Sequence, residues 1–256
     1  MIDTLSGSAA TRVLGGTEKQ LLSLIDRLDR SKVVPMLCLL DGSSQTSRSL
    51  EPDCCEVVRL GVRSLHAPST AVRAWQFGRL LRRERIDVLQ VHYPMSTYFA
   101  VPIARLAGVR CVVGTRRNLG HWMGRADRLL GRLFSRLMTA TLANSQASRD
   151  SVIADRCAAP DSVFVVPNGI DLDRFADAAV PSSQPLGGSP RVGVVSNLRP
   201  LKNLDVFVRA AASLTESYPD ARFLIAGEGQ SRSDIQALAE QLGLAERVEL
   251  LGTVPN

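Results

Sequence analysis

This 256-residue sequence predicts an α/β protein built on parallel sheets in two units. Apolar strand-like runs alternate with amphipathic helical runs along the chain, the pattern of a parallel sheet covered by helices. A stretch rich in Ala, Pro, Ser and Gly, residues 176–190, breaks the alternation, and at Arg191 it starts again. The length suits one large or two modest domains. The boundaries that follow are a first domain over 1–175, a linker over 176–190 and a second domain over 191–256.

In the first unit, Met1-Ile2-Asp3-Thr4-Leu5 reads as the tail of a strand whose opening residues are absent. Gly15-Gly16 stands ahead of an amphipathic helix over 17–29. Strands are expected at 33–40, 86–91, 110–115, 139–143 and 163–166, with helices at 69–85, 97–107, 121–137 and 145–156 between them. Gly108 follows the third helix as a C-cap. The strand at 163–166 ends in a sharp turn at Pro167-Asn168-Gly169.

The second unit repeats the pattern over a shorter span. A strand at 192–196 leads to a helix at 204–217, with Leu204, Phe207, Val208, Ala211 and Leu214 on one face and Asn203 as its expected cap. A strand at 222–226 runs into Gly227-Glu228-Gly229. Ser231 and Asp234 then have capping-box spacing for a helix ending near Gly243, and 248–251 is the next strand. So few elements make a thin core for a layered sheet, and the expectation is that this unit is incomplete.

Composition narrows the function. Apolar residues at 45% and charged residues at 22% suit an ordinary globular protein, and a net charge of +6 favours phosphates, acidic lipids or nucleic acid as partners. Nucleic acid is not expected, because no basic run carries interleaved aromatics. The five cysteines (Cys38, Cys54, Cys55, Cys111, Cys157) form no C-x-x-C pair; with Cys38 and Cys111 inside apolar strand-like runs they read as reduced, buried thiols of a cytoplasmic protein, and Cys54-Cys55 reads as part of a surface loop. No run is apolar for long enough to span a bilayer. A dinucleotide-binding dehydrogenase is disfavoured, because no G-x-G-x-x-G opens the first helix.

Open parallel sheets bind ligands at the carboxyl ends of their strands, which selects the candidate residues. Asn197, Arg199 and Lys202 follow a strand and feed a helix N-terminus, a natural anion site. Gly15 and Gly16, and likewise Gly227 and Gly229, allow backbone to approach a ligand, although glycines in turns need no ligand to explain them. Arg116 and Arg117 follow the strand at 110–115. Arginine stays protonated, so they suit phosphate binding rather than base catalysis. His92 ends the strand at 86–91 and is either a cleft residue or a structural one. Asp171-Leu172-Asp173 offers two carboxylates, a poor metal site, and no metal is expected.

The helix at 121–137 puts Arg125, Arg128, Arg132 and Arg136 in one stripe and Trp122, Ala126, Leu129, Leu130, Leu133 and Leu137 opposite. Two readings remain open: a helix resting on an anionic membrane, or a domain helix with a solvated face. The first would place the protein peripherally at the inner membrane face.

Several motifs in order carry a resemblance. They are Gly15-Gly16-Thr17-Glu18, Ala143-Asn144-Ser145, Val166-Pro167-Asn168-Gly169-Ile170-Asp171 with Arg174-Phe175, Ser196 to Lys202, Gly227-Glu228-Gly229 and Arg247-Val248-Glu249-Leu250-Leu251-Gly252. Together they resemble the family 4 (group 1) glycosyltransferases of the GT-B fold, over nearly the whole chain. The resemblance implies two Rossmann-like domains, the C-terminal one incomplete. It implies transfer of a hexose from a nucleotide-sugar to a polysaccharide or lipid-linked acceptor, with retention and with no cofactor beyond the nucleotide-sugar substrate. Lys202 matches the family lysine that offsets charge on the leaving diphosphate. Asn197 stands where the family usually has arginine, and Arg199 is the nearest guanidinium. Asn197, Gly227, Gly229, Thr253, Val254, Gly15 and Gly16 would then contact the donor, and Arg116, Arg117 and His92 would face the acceptor. The family's E-x7-E element does not occur, so these 256 residues alone are expected to transfer little or nothing. A catalytically inactive fragment, a nucleotide-binding remnant and a nucleotide-sugar epimerase on the same scaffold remain alternatives.

Overall fold

A computed structural model describes residues 16–120, 123–173 and 190–254. The expected strand tail at 1–5, Gly15, His121, Trp122, Arg174-Phe175 and all but the last residue of the expected linker lie outside them. The chain divides into two compact units, Met1–Ile170 and Asp171–Asn256.

The first unit runs α1 (Gly16–Arg27), β1 (Met36–Leu39), α2 (Gln45–Arg48), β2 (Glu56–Arg59), α3 (Ser69–Arg83), β3 (Val88–Val91), α4 (Pro94–Ala107), β4 (Cys111–Arg116), α5 (Arg125–Ser135), β5 (Ala140–Ala143), α6 (Gln146–Ala154) and β6 (Val163–Val165). The order β3-β4-β5-β6 forms one sheet and β1-β2 another, and every pairing is parallel. Leu37, Cys38 and Leu39 of β1, Leu89 and Val91 of β3 and Val112 of β4 are buried, whereas Phe164 and Val165 of β6 are exposed. Leu89, Val91 and Val112 from the larger sheet meet Phe77 and Leu81 of α3 and Phe99, Ala100, Val101 and Ala104 of α4. The Phe77 and Phe99 rings lie 5.7 Å apart, so α3 and α4 pack on each other as well as on the sheet. Gly108 caps α4 in the left-handed conformation (φ 87°), as the sequence predicts. The helix begins three residues before the expected 97, because Pro94 sits at its first turn, where a missing N–H costs nothing.

β2 is an addition to the sequence reading. Glu56-Val57-Val58-Arg59 pairs in register with Met36 to Leu39, so Cys54-Cys55 leads directly into a strand. The five cysteines are unbridged, but Cys111 is only half-buried at the start of β4. Burial pushes the Cys38 thiol up to about 11, so it stays protonated.

The second unit runs β7 (Arg191–Val195), α7 (Leu204–Ser217), β8 (Arg222–Ala226), α8 (Arg232–Gln241) and β9 (Val248–Gly252), with a parallel sheet in the order β7-β8-β9. Leu198, Val208, Ala211, Phe223, Ile225, Ile235 and Ala239 form its core. The face expected on α7 is the packed one: Leu204, Val208 and Ala211 are buried, with Phe207 and Leu214 against them.

Two expected caps are not formed. Asn203 lies in the left-handed region (φ 49°, ψ 42°) where the 3-10 turn Pro200–Lys202 ends, and its side chain makes no cap bond. Asparagine suits that backbone better than most residues. Ser231 has a near-helical backbone (φ −88°, ψ 8°) that turns its hydroxyl away from the amides it would cap.

Candidate functional site

In the second unit, the loops at the carboxyl end of the sheet are knitted together by their backbone. Ser196 N–H donates to Ala226 O (2.9 Å), Leu198 N–H to Glu228 O (2.9 Å), Ser231 N–H to Leu198 O (3.0 Å) and Gly227 N–H to Gly252 O (2.7 Å). These bonds gather Asn197, Arg199, Gly227, Gly229, Thr253 and Val254 at one end of one sheet. Close approach explains both glycines. A Cβ on Gly227 (φ 139°) would lie 1.9 Å from Ser196 O, and one on Gly229 (φ 159°) 2.3 Å from Leu198 O. Arg199 and Lys202 are exposed on either side of Pro200-Leu201, ahead of α7. Among the described residues neither cation has an ion-pair partner, whereas Glu228 is taken by Arg232 (2.9 Å).

In the first unit, α1 is docked over the carboxyl ends of the strands. The Tyr93 hydroxyl donates to the buried Glu18 carboxylate (2.8 Å), and Gln20 Nε2 donates to Gly169 O (2.5 Å). Arg117 donates to the Asn168 side chain, and Asn144 Nδ2 donates to Arg117 O (3.5 Å). Ser145 caps α6 by accepting from Ser148 N–H (3.2 Å). The three motifs around Glu18, Asn144 and Asn168 therefore brace one another at the sheet end. At the start of the second unit, Asp171 accepts from Asp173 N–H (3.2 Å), which closes a local turn.

Two cavities open here. One of about 170 Å³ is lined by Gln20, Gln90, His92, Arg117, Asn144 and Asn168 among others. The other, of about 420 Å³, extends towards α5 and includes Thr17, His92, Tyr98, Arg116, Met138 and Cys157 in its wall. His92 borders both, yet is only 2% exposed. Burial first, with help from the Arg117 charge, pushes its pKa down to about 3, so the ring is neutral. Its Nδ1 lies 3.2 Å from Thr115 Oγ1, which in turn donates to Val91 O (3.0 Å). His92 Nε2 and Arg116 Nε are buried with no hydrogen-bond partner among the described residues. Burial also lowers the Arg117 pKa, but an arginine stays charged.

α5 corrects the expectation of one arginine stripe opposite one apolar stripe. Its contact face is Asp127, Arg128, Gly131, Phe134 and Ser135, none of them fully buried. Phe134 packs on Tyr98 (5.2 Å between rings), and Gly131 lies so close to Cys157 that a Cβ would sit 2.9 Å from Sγ. Arg128 turns inward to Asp155 (3.0 Å), whereas Leu129 and Leu133 turn outward, 66% and 55% exposed. Phe134 and Tyr98 fix the helix rotation, and that rotation leaves the leucines without cover.

Gly16 opens α1, and a Cβ there would meet no described residue within 4 Å. Thr115, expected to face the cleft together with Arg116, Arg117 and Asn118, lines both cavities, and Tyr93, which sequence reading missed, belongs to this region too.

Comparisons with known proteins agree with this architecture. Residues 15–169 match the family model "Glycosyl transferase 4-like domain", and residues 177–256 match "Glycosyl transferases group 1". The chain is 30% identical over 187 residues to a phosphatidylinositol N-acetylglucosaminyltransferase subunit of Arabidopsis thaliana, covering 69% of this chain and 40% of that protein. It is 36% identical over 191 residues to D-inositol 3-phosphate glycosyltransferase of a Mycobacterium species, covering 69% and 39%. It therefore spans about two fifths of the length of these curated relatives. The structure of Anabaena HepE in complex with UDP superposes with a TM-score of 0.77 at 18% identity, over 99% of this chain and 68% of that one. This likeness shows the fold, two Rossmann-like α/β units of the GT-B type.

Proposed function

Because the chain belongs to the group 1 glycosyltransferases of the GT-B fold, we propose that it acts in the transfer of a hexose from a nucleotide-sugar to a hydroxyl of a sugar or lipid-linked acceptor. The transfer retains the anomeric configuration. In this reading residues 1–175 face the acceptor, 191–256 hold the donor and 176–190 link the two.

The observation that carries the reading is that Arg199 and Lys202 lie exposed beside the knitted loops of the second unit, with no ion-pair partner among the described residues. In the reaction the bond from the sugar's anomeric carbon to the diphosphate breaks, a bond to the acceptor oxygen forms and the acceptor loses its proton. Negative charge grows on the diphosphate, and fixed cations beside it lower the barrier. Asn197 adds a neutral hydrogen-bond donor on the same loop. Thr253 and Val254, exposed just past β9, serve the base, and Gly227 and Gly229 keep the turn flat against the loop.

On the acceptor side, Arg116, Arg117 and His92 line the cavities at the sheet end. Phosphatidylinositol and inositol 3-phosphate in the relatives' names support a polyol next to a phosphate. The outward leucines of α5, with Arg125, Arg132 and Arg136 beside them, favour contact with an anionic membrane at which a lipid-linked acceptor would be met.

The test is titration with UDP, comparing the unmodified chain with Lys202→Ala. Binding that weakens about tenfold in the variant, roughly 1.4 kcal/mol, supports the donor site. No binding by the unmodified chain refutes it. Where transfer is detected, proton NMR of the first-formed product reads its anomeric configuration.

A further inference from the structure

Strand β9 does not run evenly to its end. Its ladder with β8 pairs Ile225 with Leu250 and then Ala226 with Gly252, so Leu251 is an extra residue and the strand bulges there. Gly252 closes the bulge in the left-handed region (φ 71°), where a side chain is strained. A bulge re-aims the chain that follows it, and here that chain is Thr253-Val254.

One side chain of α8 holds the bulge. Arg232, the first residue of that helix, donates through one terminal nitrogen to Leu250 O (3.2 Å), the carbonyl at the slip in register. Its other terminal nitrogen donates to Glu228 Oε1 (2.9 Å). Glu228 follows β8, and its carboxylate reaches across to the bulge: a Cβ on Gly252 would lie 3.1 Å from Oε1. The backbone closes the same ring, with Gly227 N–H on Gly252 O (2.7 Å) and Arg232 N–H on Gly229 O (3.2 Å). The two side chains are 40% and 37% exposed, and so open an ion pair adds little stability by itself. Its contribution is geometric. A planar guanidinium makes two bonds at a fixed angle, and these tie α8, the loop after β8 and the end of β9 to one another.

We propose that Arg232 and Glu228 are positioning residues that decide which nucleobase the second unit accepts. This rests on the donor reading above, in which Thr253 and Val254 meet the base, and deepens it to base selectivity. Bases differ in the order of donors and acceptors along their edges. Main-chain N–H and C=O groups tell those edges apart only while they are held in place, because a loose loop rearranges to suit any of them. The diphosphate is common to all nucleotides and is met by Arg199 and Lys202 on another loop. The clamp therefore governs preference between bases, and the two cations govern affinity for all of them.

The experiment is calorimetric titration of the 256-residue chain with UDP, GDP and ADP, repeated for Arg232→Ala, Glu228→Ala and Lys202→Ala, with circular dichroism to check folding. The unmodified chain should bind one of the three at least tenfold more tightly than the other two. Arg232→Ala should shrink that preference to about threefold or less, and Glu228→Ala should shrink it part of the way. Lys202→Ala should weaken all three by the same factor and leave the preference intact. A clamp with a merely structural role would leave the preference unchanged in Arg232→Ala, with all three nucleotides weakened together or none of them, and either result overturns the proposal. Equal binding of the three by the unmodified chain also overturns it but spares the donor site. Binding of none refutes the donor site and the proposal with it. If Arg232→Ala does not fold, Glu228→Ala decides alone.

Discussion

Asp155, at the C-terminal end of α6, holds Arg116 at 3.2 Å in an ion pair whose side chains are only 18% and 11% exposed. The same carboxylate takes Arg128 at 3.0 Å, and the Asp155 carbonyl accepts from Arg132 Nε (2.9 Å). One residue thus ties the end of β4 to α5, the two sides of the larger cavity. Removing the carboxylate leaves the Arg116 charge nearly buried and uncompensated. Asp155→Ala should cost about 3 kcal/mol in urea unfolding, and Asp155→Asn less, because the amide still accepts a hydrogen bond. Equal stability of Asp155→Ala and the unmodified chain would show that Arg116 relaxes to solvent.

His92 makes stability depend on pH in a known direction. Its ring stays neutral in the folded chain down to about pH 3 but takes up a proton near 6.5 once unfolded. Between those values the unfolded state binds more protons, so its contribution is fully present above about pH 6.5 and is lost as pH falls. His92→Gln abolishes the term. From pH 6.5 to 5 the unmodified chain should lose roughly 1 kcal/mol per pH unit relative to the variant. Parallel stability curves would mean that the ring is already protonated when folded.

Gly229 and Gly243 share positive φ (159° and 70°) but differ in surroundings. A Cβ on Gly243 meets nothing within 4 Å, whereas one on Gly229 would drive into Leu198 O at 2.3 Å. Gly243→Ala should therefore cost only the left-handed penalty, about 1 kcal/mol. Gly229→Ala must also push the two loops apart, and should cost roughly 3 kcal/mol and weaken UDP binding. Similar losses in both variants would contradict the close packing of these loops.

The sequence disclosed the second unit more fully than the first. Strands β7, β8 and β9 are apolar runs between clear helices, and observed bounds differ from expected ones by a residue at most. Strand β2 escaped because Glu56-Val57-Val58-Arg59 is short and not fully buried, so it shows neither an apolar run nor firm alternation. The rotation of α5 was also hidden. Periodicity separates leucine from arginine, but Tyr98 and Cys157, distant in sequence, decide which side meets the protein. The partner of His92 is a threonine 23 residues away that spends its proton on a carbonyl. No local motif encodes such a contact.

The outward face of α5 yields the last prediction. Leu129 and Leu133 expose most of their apolar surface, with Arg125, Arg132 and Arg136 next to them on the helix. Apolar side chains gain by entering the interface of a bilayer, and the guanidinium groups gain further from acidic headgroups. Vesicles containing phosphatidylserine should therefore carry the chain upward in a flotation gradient, while phosphatidylcholine vesicles should leave it behind. Burying a leucine is worth roughly 1.5–3 kcal/mol, so Leu129→Ser with Leu133→Ser should cut binding at least tenfold. Raised salt should weaken what remains by screening the arginines. Flotation that ignores lipid charge, or that survives loss of both leucines, would assign this face to solvent or to a protein partner.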